Sequence, residues 1–184
     1  MHMKSIISFI VLIFFGALTG NAQNMEPAPE DKAVVYFVRP SSFGALINFS
    51  YFDSTTLIGR FKGPRYIRYE CEPGQHLFWG RSENKDFVEA NLEAGKVYMI
   101  EAVVMMGGIK AGLRLEPINQ KTKNLKKINK LLGKRKSESF SHEELEEDTR
   151  DLEGVIERGM DKYQEMKKDG ELFKQLEKEM YFEL

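Results

Sequence analysis

From residue 33 onward the chain alternates short apolar runs with turn residues, and after residue 117 that rhythm gives way to a helical one. Residues 33–39 (AVVYFVR) form an unbroken β-branched and aromatic run, which predicts a strand buried on both faces. Pro40, Ser41 and Ser42 stop it. Residues 46–52 (LINFSYF) alternate, Asp53-Ser54 turns the chain, and 56–62 (TLIGRFK) follows after so short a gap that a hairpin is expected. Gly63-Pro64 and Pro73-Gly74 bracket a fourth strand at 65–71, because proline presets φ for a turn and glycine accepts φ > 0. Further strands are expected at 75–82, 87–92, 96–104 and 109–116, with Gly107-Gly108 turning between the last two. Short strands with turn signals this regular are the pattern of an antiparallel β-sandwich or barrel, and no long helical period interrupts them.

The helical rhythm begins at 119–136, a stretch of lysines and arginine without a single acid, in which Leu125, Ile128, Leu131 and Leu132 recur at helical spacing. Ser141 and Glu144 fit a capping box, each side chain satisfying the other's orphan backbone donor. A long helix is expected at 142–168 with Leu145, Leu152, Val155, Ile156, Met160, Tyr163 and Met166 as its apolar stripe. Acids open it and lysines close it, as the helix dipole favours, and Gly170 ends it. A short last helix is expected within 171–180. The fold class is therefore α+β: a β-sandwich at 33–117 followed by a charged amphipathic tail at 118–184, expected as a C-terminal helical hairpin whose basic and acidic helices pair. The pattern leaves open whether the tail docks on the sandwich or projects from it.

The N-terminus has a different character. Lys4 precedes a nearly unbroken apolar run at 6–18, and small Gly20 and Ala22 fit a signal peptidase site with cleavage after Ala22. The run is short of the ~20 apolar residues a membrane span needs. Residues 1–22 are thus expected to be a signal peptide, and polar, proline-bearing 23–32 a flexible linker. No cysteine follows the apolar run, so a lipoprotein is not expected. The implied location is extracytoplasmic, in the periplasm or at the outer-membrane periphery of a Gram-negative-type bacterium.

The 184 residues suit one domain plus an appendage, and a net charge of -1 gives no global pull toward nucleic acid. Chemistry is sparse. After the expected cleavage only His76 and His142 remain, and Cys71 is the one cysteine. These are too few for a zinc site, no Gly-x-Ser-x-Gly elbow is present, and Gly107-Gly108 lacks the lysine and hydroxyl of a phosphate loop. No catalytic residue, metal or cofactor is expected. The remaining candidates are binding residues: Arg39, Tyr66, Tyr69, His76, Trp79 and Tyr98, since aromatics and arginine are enriched at binding hot spots. Core filling is the simpler reading of the aromatics. The basic 119–136 stretch fits acidic envelope polymers or lipid headgroups, or pairing with the acidic helix that follows it.

YFVRPSSFG at 36–44, LIGRF at 57–61, YECEPGQHLFW at 69–79 and LEAGKVYMIE at 92–101 together resemble domain-of-unknown-function family 2846 over roughly 33–117. The resemblance implies a secreted or envelope-associated module with a PEGA-like, immunoglobulin-like sandwich, and brings no activity with it. The expected function is an exported, non-enzymatic cell-envelope module acting through an envelope protein partner. The alternative is a carbohydrate- or lipid-binding module using an aromatic sheet face, with peripheral membrane or glycan contact.

Overall fold

The computed structural model describes residues 25–106, 111–123 and 125–184. The expected signal peptide and the Gly107-Gly108 turn lie outside the described residues. All eight expected strands form, with boundaries moved by two residues at most: β1 Ala33–Arg39, β2 Asn48–Asp53, β3 Thr56–Lys62, β4 Arg65–Cys71, β5 Gly74–Arg81, β6 Lys85–Leu92, β7 Val97–Met106 and β8 Ala111–Ile118. A three-residue β9, Lys174–Leu176, joins them where a last helix was expected; one 3₁₀ turn, Lys178–Met180, follows. The strands form two sheets, ordered β4-β1-β7-β8 and β3-β2-β5-β6-β9. Most neighbours are antiparallel, but β1 pairs with β7 and β6 with β9 in parallel. The α+β class with a β-sandwich core holds.

The alternation within each strand now has a physical meaning. In β1, Val35 and Phe37 face the opposing sheet, where Phe37 meets Tyr51 and Phe78, and they share the space between the sheets with Ile100 and Leu115 of their own sheet. Val34, Tyr36 and Val38 point outward and are equally buried. The second sheet does the same: Phe78 and Val88 point in, and Phe52, Leu57, Trp79 and Phe87 point out. Both sheets therefore carry two apolar faces.

The helices cover the outer ones. Ile128, Leu131 and Leu132 of α1 (Leu125–Leu132) pack on the outer face of the first sheet, and Leu152, Val155, Ile156 and Tyr163 of α2 (His142–Lys168) on that of the second. The helices thus lie on opposite sides of the sandwich and do not form the expected hairpin. Magnitudes explain why. A buried Leu, Ile or Phe side chain contributes about 2 kcal/mol, whereas an exposed ion pair contributes about 0.5 kcal/mol. The apolar stripes, rather than the opposite charges, choose the docking partners.

Residues 133–141 carry the chain from one side to the other around the edge made by β4 and β3. Glu138 forms a parallel bridge with Ile67, its N–H donates to the Tyr66 carbonyl at 2.8 Å, and the Ser137 hydroxyl accepts from the Arg68 N–H at 2.9 Å. Phe140 lies against Gly59, where a Cβ would stand 2.4 Å from its ring. Ser141 and Glu144 then form the expected capping box. The leader touches the domain at Met25 and Glu26. Met25 is buried with α1 on the first sheet, and the Glu26 N–H donates to the Tyr36 hydroxyl at 2.9 Å.

Gly159 is the point of closest approach between α2 and its sheet: a Cβ there would stand 2.5 Å from Cη2 of Trp79, which is fully buried. Gly→Ala inside a helix ordinarily stabilises by about 1 kcal/mol. Here Gly159→Ala should instead destabilise, by about 1–3 kcal/mol, since the indole has no room to yield. Denaturant unfolding followed by Trp79 fluorescence measures the sign; a gain in stability would show that α2 does not rest on Trp79.

Candidate functional site

Three of the six candidate binding residues are structural clamps under the tail. Trp79 stacks on Phe52 with centroids 4.0 Å apart, and its Nε1–H donates to the Ser54 carbonyl at 2.7 Å. Tyr66 stacks on Tyr36 and donates to the Arg135 carbonyl at 3.2 Å. The Tyr98 hydroxyl accepts from the Glu93 N–H and donates to the Lys178 carbonyl, both at 3.0 Å. All three are buried. This placement fits the simpler reading, core filling: these residues lie between the sheets or beneath the helices and the C-terminal segment, because both sheets are covered on both sides.

Tyr69 and His76 do meet, around Asp53. The Asp53 carboxylate accepts from His76 Nδ1 at 2.7 Å and from the Tyr69 hydroxyl at 3.2 Å, while His76 Nε2 faces the Glu72 carbonyl at 2.8 Å. The ring stacks on Phe78. Carboxylate and carbonyl are acceptors only, so both ring nitrogens must donate, and the histidine is held as the imidazolium. Its pKa is pushed up to about 10, chiefly by the hydrogen bond to Asp53. Burial and the neighbouring carboxylate likewise push the Tyr69 phenol up. A general base needs a free lone pair near neutral pH. His76 has none, so the Asp–His pairing acts as a clamp between the β2–β3 turn and the start of β5. His142 is solvent-exposed beside Glu146, Cys71 is buried, and Glu70 and Glu72 pair with Arg68 and Lys32.

Arg39 is wholly buried at the end of β1. Its guanidinium donates to the Ile47 carbonyl at 2.7 Å and the Gly44 carbonyl at 2.5 Å and lies 3.9 Å over the Phe49 ring. These contacts fix the 40–47 loop. That loop lies against β7, since a Cβ on Gly44 would stand 3.1 Å from Val104.

Sequence reasoning missed what the loop displays. Phe43 and Leu46 are 53% and 86% exposed, and Met105 and Met106, at the end of β7, are 37% and 72% exposed. Because β1 and β7 run parallel, the loop leaving β1 and the end of β7 reach the same pole of the sandwich. The available signal was bulky apolar residues inside a Pro-Ser-Gly loop and beside a glycine pair.

Charge is sorted by pole as well. Around the loop pole stand Lys62, Arg81 and Lys85 at strand ends, and Lys127, Lys130 and Lys134 beside Pro40 and Pro64. Glu26, Glu30, Asp31, Glu72, Glu93 and Glu183 gather with Lys32 and Lys96 at the opposite pole, where β1 begins. The net charge of -1 conceals this dipole.

No family model matches the chain. A search of the curated proteins returns no match either. The functional reading therefore rests on the molecule itself.

Two clamps generate tests. A histidine pKa raised from 6.5 to about 10 contributes stability that is complete below pH 6.5 and lost as pH rises through 10. His76→Gln should cost about 3 kcal/mol at pH 6, with the gap to wild type closing toward pH 10 in denaturant titrations; a gap independent of pH would refute the imidazolium. Arg39→Lys keeps the charge but loses the fork that reaches two carbonyls. It should cost about 2 kcal/mol and speed amide exchange within 40–47; unchanged exchange there would show that Arg39 does not hold the loop.

Proposed function

We propose that this chain is an exported, non-enzymatic module of a bacterial cell envelope that works by binding, as its resemblance to family 2846 implies, and that the contact surface is the loop pole. One observation carries the reading. Among the described residues six large hydrophobic side chains are exposed, and four of them, Phe43, Leu46, Met105 and Met106, stand together at that pole. Contiguous exposed apolar surface rimmed by polar residues is the mark of an interaction site. The apolar N-terminal run supports export, and the locked His76 supports binding over acid–base chemistry. The docked helices argue against a free helical tail as the contact, and the buried Trp79 against an aromatic sheet face.

Site-specific photocrosslinking in cells tests this. A photoreactive residue replacing Leu46 or Met106 should capture an envelope component, an envelope protein being the first expectation. One replacing Glu153, exposed on α2, should capture nothing. Equal capture from all three positions, or none from the pole, would overturn the reading.

A further inference from the structure

We propose that the loop pole docks on an anionic lipid surface, with Phe43, Leu46 and Met106 entering the headgroup layer and Lys127, Lys130 and Lys134 contacting lipid phosphates. This rests on the binding-module reading and names the occupant of its surface.

The pairing of residue types at the pole favours lipid. Protein–protein interface cores are enriched in aromatics and methionine but depleted in lysine. Membrane-surface contacts combine bulky apolar side chains with flanking lysine and arginine, which meet the acyl boundary and the phosphates respectively. The pole has the second composition. The 40–47 loop carries no charge, and 119–136, which supplies the flank, carries no acid.

The geometry of the pole agrees. Phe43 and Leu46 sit on one loop and Met106 at the end of a neighbouring strand, exposed at the tip of the sandwich rather than sunk in a groove. Beside them a cleft of about 330 Å³ opens between Pro40, Pro64 and the basic side chains of Lys127, Lys130, Lys134 and Arg135. It has the size and charge for a phosphoglycerol headgroup. Among the described residues those three lysines make no ion pair, so their charges are available to a ligand.

The opposite flank is basic too. Arg81, Lys85 and Arg158 surround a second hollow, with Glu83 the acid among them. Burial first, and then Arg158, Arg81 and Lys162, push the Lys85 ammonium down. Like charges held this close repel one another, and an anionic surface relieves the repulsion. Basic side chains stand on both sides of the apolar tip, with Glu83, Asp161 and Glu165 interspersed on the α2 side, and the larger group of acids at the far pole favours one orientation on such a surface over the inverted one. Arg39 is the positioning residue, because it fixes the loop that bears Phe43 and Leu46.

The test uses the chain from Gln23 to Leu184, which contains all three apolar clusters of the fold, and flotation with vesicles of phosphatidylcholine alone or mixed with phosphatidylglycerol. Binding is expected to the anionic vesicles and not to the neutral ones, and to weaken as salt is raised. Combined Phe43→Ser, Leu46→Ser and Met106→Ser should reduce affinity at least about tenfold. Combined Lys127→Gln, Lys130→Gln and Lys134→Gln should do the same and flatten the salt dependence. Lys96→Gln at the far pole should change nothing, and all variants should keep the wild-type circular dichroism. Leu46→Trp should show brominated-lipid quenching in the anionic vesicles only. Binding indifferent to the pole substitutions, or equal on neutral vesicles, would overturn the proposal. Absence of vesicle binding while crosslinks from the pole capture a protein would overturn it and leave the binding-module reading standing. Absence of both would remove both.

Discussion

Every sheet in this molecule has two apolar faces, and a sheet with two apolar faces must be covered twice. The demand is visible in β1, where Val35 and Phe37 fill the space between the sheets while Val34, Tyr36 and Val38 need cover of their own. The sandwich satisfies only the inner faces. The outer ones dictate that α1 and α2 dock, that they dock on opposite sides, and that the segment between them passes around an edge. The charged tail is therefore part of the fold rather than an appendage. An eight-residue helix such as α1 has little stability alone in water, so it exists because Ile128, Leu131 and Leu132 have a sheet to cover.

Polar side chains in such a frame are occupied by holding it. Tyr66 and Tyr98 tie the first sheet to backbone carbonyls of the tail, His76 and Asp53 join two turns, and Arg39 folds a loop back onto a strand. Each is a group that elsewhere performs chemistry or recognition, and here each donates to an acceptor of the chain itself. At the end of the sandwich, apolar loop residues face outward beside lysines that form no ion pair among the described residues.

Much of this was legible in the residues. Turn chemistry at Asp53-Ser54 and Pro73-Gly74 delimited the strands, the unbroken run at 33–39 announced burial on both sides, and Ser141 with Glu144 marked the start of α2. Other features are not local properties and left no local trace. Nothing in β1 or β7 states that they lie side by side in parallel, because the chain visits the second sheet between them. The complementary charges of the two helices suggested that they pair, whereas their apolar stripes decided otherwise by matching different sheet faces. For the tyrosines and Trp79 core filling was the simpler reading and a recognition surface the other, and composition does not say what lies on top of a ring. β9, three residues long, is below the length at which periodicity separates strand from helix. The exposed pole was written in the 40–47 loop, but an apolar residue in a loop gains meaning only once its neighbours across the fold are known.

The linker that turns around β4 carries a consequence for how the molecule fails. An outer strand with unpaired amides is a template for another chain, and here the Glu138 bridge and the Ser137 hydroxyl occupy part of that edge. The cover is made of the same continuous segment that delivers α1 and α2. Local opening of either helix would loosen the segment, uncovering an apolar face and an unprotected strand margin in a single event. Partly opened molecules of this protein would thus be self-adhesive, and its resistance to aggregation is set by how firmly residues 133–141 stay in place.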